Sequence, residues 1–145
     1  MKWNLIPAFD PAAQPAHGGI MRSRQLLTEL TALGPVQIVK PATFGRNRFE
    51  ASRLVLASMW RWKLKLAGAV HYVRFHRALQ PIRALGGSRC LYEHQYGPVR
   101  IGAMVALDLG FELVALPQNL ESLANWDRPD HISGLSGAAF LEWER

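Results

Sequence analysis

Apolar residues change their spacing along this chain, and each change marks an element. Residues 3–9 read as a first strand, followed by a Pro/Ala-rich loop over 10–15. From His17-Gly18-Gly19 the spacing turns helical: Leu26, Leu27, Leu30 and Leu33 share one face, and Gly34-Pro35 stops the run. Residues 36–39 form a β-branched second strand. The stretch 42–85 is less regular. A basic loop over 44–48 leads to a predicted helix over 50–69 and a second over 70–85, interrupted by Pro81. Val55, Met59, Trp62, Leu66 and Val73 form the apolar stripe of this region, and Arg53, Arg61 and Lys65 fall opposite, with Lys63 off the stripe centre.

Residues 88–126 organise the rest. Residues 89–93 read as a short strand that ends in the polar cluster Glu93-His94-Gln95-Tyr96. Gly97 and Pro98 suit the start of a helix reaching Leu109, and Gly110 suits the left-handed position after it. Residues 112–116 are an apolar run of the kind buried on both faces of a parallel sheet. A polar loop follows over 117–123, a second loop over 125–136, and the start of a helix over 137–145. Two β-α-β units with right-handed crossovers predict an α/β fold, a Rossmann-like parallel sheet flanked by helices. In such sheets ligands bind outside the carboxyl ends of the strands.

Charge sharpens this picture. The net charge is +6, and between Lys40 and Arg89 every charged residue except Glu50 is basic. Such a patch favours an anionic partner: a membrane surface, a phosphorylated ligand or a nucleic acid. Nucleic acid ranks last, because no recognition helix, zinc-finger or RNP pattern is present. A helix with Arg53, Arg61, Lys63 and Lys65 beside tryptophans suits anionic lipid; a solvated back to a core helix is the plainer reading. No apolar run is long enough to span a bilayer. The single cysteine, Cys90, excludes a disulfide framework and reads as an inert strand residue. The expected location is cytoplasmic, extending to the inner face of the membrane.

Catalytic chemistry is sparse. His71 and His76 are five apart and do not share a helical face, so no metal set is expected. No serine stands in a nucleophile-elbow setting. Glu93, His94 and Glu121 could converge at the sheet edge, where a carboxylate beside an imidazole can move protons. Gly18 and Gly19 open a helix whose N-terminus could take a phosphate, or they simply let the chain turn.

The order of pieces carries a resemblance that none of them carries alone. Gly18-Gly19 open a helix with Arg22 and Arg24 in its early turns; Glu93 ends a strand; Pro117-Gln118-Asn119-Leu120-Glu121-Ser122 follow another; Phe140-Leu141-Glu142-Trp143-Glu144-Arg145 begin a helix. This resembles the N-terminal domain of GT-B fold glycosyltransferases of the family 4 type, with its Gly-Gly loop, its His-Asn-x-Glu-like segment and its Trp-Glu-Arg-like helix. The resemblance implies one Rossmann-like acceptor-side domain over 1–145. It puts Gly18 and Gly19 near the donor diphosphate, and Gln118 and Glu121 in the catalytic segment with Asn119. Glu93, His94 and Asn119 would line the acceptor cleft.

Gln118 stands where the family has histidine; it can hydrogen-bond but cannot exchange a proton near neutral pH. The family's Glu-x7-Glu pair, which belongs to a second, nucleotide-sugar domain, has no match. The resemblance therefore implies hexosyl transfer from a nucleotide-sugar donor, with no other cofactor, only when this chain meets that second domain. On this reading the chain alone is inactive: a truncated product, an excised domain or half of a split enzyme. It would act on a phosphate-bearing or lipid-linked acceptor. The alternative is a non-catalytic Rossmann-like binding module, held to an anionic membrane or a phosphorylated ligand by its basic middle segment.

Overall fold

A computed structural model describes residues 2–14, 18–43, 47–94 and 97–117, with the backbone alone for His94 and Pro117. Its elements are β1 (Trp3–Ile6), α1 (Gly18–Leu33), β2 (Val36–Ile38), α2 (Arg48–Trp62), α3 (Leu66–Ala84), β3 (Arg89–His94), α4 (Pro98–Asp108) and β4 (Glu112–Pro117). The strands form one four-stranded sheet in the order β2-β1-β3-β4. Every pairing is parallel. The fold is the expected α/β, Rossmann-like parallel sheet flanked by helices.

The strand alternation divides the core. Leu5 and Leu91 point to one face, where they pack with Leu26, Leu27 and Leu30 of α1. Ile6, Cys90 and Tyr92 point to the other, into a larger cluster with α3 and α4. From β1 the chain moves one way to β2, and from β3 the opposite way to β4. Right-handed crossovers in opposite directions place α1 and α4 on opposite faces, as observed.

The central helix is α4, whose residues from Val99 to Ala106 are all buried. All of them are apolar or small except Arg100, which is 1% exposed, and a helical stretch with no solvated stripe belongs in an interior. Gly102 lets it fit: a Cβ there would stand 3.0 Å from the Phe75 ring of α3 and 3.1 Å from Ile6 of β1. Gly110, at φ 75°, closes α4. Its N–H reaches Leu107 O at 2.8 Å and the Phe111 N–H reaches Ala106 O at 2.9 Å, a Schellman pair. Gly86 and Gly87 end α3 in the same way.

The middle region departs from expectation. One helix over 50–69 is not formed; the break falls at 63–65. Lys63 adopts the left-handed conformation (φ 54°). Leu64 then turns inward to 3% exposure, and Lys65 is extended ahead of α3. Asp108 of α4 anchors this corner, accepting from Trp62 Nε1 at 2.7 Å and from the Tyr72 hydroxyl at 2.6 Å. Pro81 does not interrupt α3. It sits in the last turn, where one backbone bond is lost, and the Leu85 N–H still reaches Pro81 O at 3.1 Å.

The first strand is shorter than expected, ending before Pro7. The run in β4 is not buried on both faces: Val114 on the α1 face and Ala115 on the opposite face are both exposed, because β4 lies at an edge of the described sheet. No helix among the described residues is long and apolar enough to cross a membrane.

Candidate functional site

The strand order reverses direction between β1 and β3, so their carboxyl ends open a crevice at that point. Beside it lies a cavity of about 270 Å³. Ile6, Val39, Phe75 and Val99 form its apolar floor; the β1–α1 loop and Pro98 wall it, and Asp10 and Lys40 stand at its rim. Lys40 Nζ lies 2.7 Å from Asp10 Oδ2. That hydrogen bond, with help from the Ala12 N–H, holds the Asp10 carboxyl below its ordinary range.

Glu93 closes the other side of the crevice. It stands one residue before the end of β3, on the α1 face, and is 1% exposed. Its Oε2 accepts from the Ser23 hydroxyl of α1 at 2.6 Å and from the Ala8 N–H of the β1–α1 loop. Among the described residues, Oε1 has no hydrogen-bond partner. A buried carboxylate is costly unless donors surround it, so the two donors are the local reason this residue can stand here. Arg24 continues the same job, donating to Pro11 O at 2.8 Å and to Ala13 O at 3.3 Å. The loop over the crevice is thus tied to β3, α1 and Lys40 at successive points.

The paired glycines are not equivalent. Gly18 faces open space, whereas a Cβ on Gly19 would collide with the Phe9 ring. Gly19 therefore lets the loop fold back onto α1, which a turn-only reading of the glycines allows. Gly18 keeps an accessible backbone at the helix start, the part of the pair open to an anion. His94 ends β3 opposite Pro117 of β4, at the same edge. Gln118, Asn119 and Glu121 lie outside the described residues.

No protein-family model matches this chain, and no curated protein or solved structure matches it.

The basic residues singled out from the sequence are not one cluster. Arg61 lies 2.9 Å from Asp108 Oδ1, a close ion pair between α2 and α4, and its guanidinium sits 5.3 Å from the Trp62 ring centre. Lys63 Nζ sits 4.9 Å from the Trp60 ring centre. Arg53 and Lys65 are exposed, on α2 and just before α3. Cys90 is fully buried, and burial pushes its thiol up to about 12, so it stays protonated and unreactive.

Sequence reasoning reached Glu93 but missed Ser23, Asp10 and Lys40. Ser23 had a signal: it falls on the apolar stripe of α1, three and four positions ahead of Leu26 and Leu27, where a polar side chain needs a buried partner.

Proposed function

We propose that this chain is an acceptor-side, Rossmann-like domain of a GT-B type glycosyltransferase. It works with a separate nucleotide-sugar-binding domain, and the sugar nucleotide is the donor substrate. The observation that carries this reading is the crevice at the β1/β3 switch point, roofed by a β1–α1 loop that Glu93 holds in place. A transfer site needs one fixed wall against which the acceptor is aligned before the donor half closes. A loop tied down by a buried carboxylate suits that task better than one held by solvent contacts. The motif order from Gly18-Gly19 through Glu93 to the Gln118–Ser122 stretch supports the same assignment.

In this scheme Gly18 lies nearest the donor diphosphate. Glu93 is a positioning residue, since its hydrogen bonds go to the loop and to α1. Gln118 and Glu121 follow β4 and carry the roles that the resemblance implies. The division of labour is tested by turnover with the purified chain and a panel of nucleotide sugars. No transfer is expected from the chain alone; robust transfer would refute the two-domain scheme.

A further inference from the structure

Helix α2 is apolar on two opposite sides. Ala51, Leu54, Val55, Ser58, Met59 and Trp62 turn toward the interior and are buried or half-buried. On the far side Phe49 is 76%, Leu56 68% and Trp60 80% exposed. With a helical turn of about 3.6 residues, Phe49, Arg53, Leu56 and Trp60 fall within a sector of about 60°, and Lys63, just past the end of α2, brings its Nζ to 4.9 Å from the Trp60 ring centre. Core packing accounts for the inner side only. Among the described residues the outer stripe belongs to neither core cluster, and it exposes aromatic surface to water.

We propose that the outer stripe of α2 is a docking surface for an anionic lipid bilayer, with the helix lying in the plane of the headgroups. Phe49, Leu56 and Trp60 enter the acyl boundary, and Arg53 and Lys63 meet lipid phosphates. Charge complementarity selects this occupant. The stripe holds cations and no acid, in a segment where Glu50 is the only acidic residue between Lys40 and Arg89. Trp60 with Lys63 stacked on its ring matches an interface that is apolar on one side and wet on the other. A second copy of the chain is a poorer occupant, because it would bring a second cationic stripe and no acid to meet Arg53 and Lys63, whereas a bilayer supplies phosphates. This proposal does not rest on the glycosyltransferase reading, and vesicle binding is measured without any sugar donor.

The test is co-sedimentation of the full chain with vesicles of phosphatidylcholine alone and with added phosphatidylglycerol. Circular dichroism confirms that each variant is folded. Binding is expected only with phosphatidylglycerol. The pair Leu56→Ser/Trp60→Ser and the pair Arg53→Ser/Lys63→Ser are each expected to weaken it about tenfold or more. A control pair, Lys2→Ser/Arg22→Ser, removes the same charge from other exposed positions and is expected to bind within about twofold of the parent. Failure of the parent chain to bind, or an equal loss in the control, overturns the proposal. A dimer that Leu56→Ser/Trp60→Ser returns to monomer would overturn it as well, in favour of self-association.

Discussion

Glu93 shows how much one buried side chain can organise. It joins β3 to α1 and to the β1–α1 loop, and each bond has a measurable consequence. Glu93→Ala would leave the Ser23 hydroxyl and the Ala8 N–H without an acceptor. The expected loss of stability is about 2–4 kcal/mol, read by urea unfolding, with faster exchange of the Ala8 amide. Ser23→Ala removes one donor and is expected to cost about 1–2 kcal/mol. The glycines give a sharper contrast. Gly19→Ala meets the Phe9 ring and is expected to destabilise by about 1–3 kcal/mol, with rescue in the Gly19→Ala/Phe9→Ala double variant. Gly18→Ala meets nothing and should be neutral or slightly stabilising. The position of Glu93 at a strand end was legible in the sequence. Its burial, and its pairing with Ser23 seventy residues away, were not, because the register that joins them is set in three dimensions.

Elements bounded by glycine or proline were read closely. Gly97-Pro98 and Gly110 bracket α4, and Gly34-Pro35 ends α1, because each supplies a backbone conformation or a missing donor that a helix end requires. The α2–α3 break was misplaced because Lys63 fills a left-handed position that usually signals itself by glycine. Lys63→Gly is therefore expected to raise stability by about 0.5–1 kcal/mol, seen as a higher thermal midpoint. The stripe on α2 was also only half legible: periodicity marks the inner face, whereas outside it Phe49, Leu56 and Trp60 are interleaved with Arg53 and Lys63 and read as a solvated back. On α3, burial lowers the pKa of His76 from its ordinary 6.5, against the opposing charges of Glu50 and Asp108 and alongside Arg77. The neutral imidazole is favoured in the folded state, so its contribution is complete above 6.5 and is lost as pH falls through the lower folded value. Thermal midpoints are expected to drop as pH falls below 6.5 and to level off once the lower folded value is passed, and His76→Gln should flatten the drop.

At the scale of the whole molecule, short apolar runs that alternate with helices and one preferred crossover hand made a parallel α/β sheet legible in the chain, whereas the strand order β2-β1-β3-β4 was not, because many orders share that pattern. The sequence pattern did not reveal that β4 would be half-exposed, since coverage depends on the strand's place at the sheet edge and on where the flanking helices come to rest. The switch point between β1 and β3 is a consequence of that order, and the cavity, the Asp10–Lys40 pair and the Glu93-tied loop all gather around it. The most direct test of the proposed acceptor site is an amide chemical-shift titration of the chain with saccharides and their phosphorylated and lipid-linked forms. Shifts are expected together at Ala8, Ser23, Lys40 and Val99, and their loss in Glu93→Gln under conditions where the fold persists. Shifts elsewhere on the molecule with these amides unmoved, or none with any acceptor class, would contradict the account.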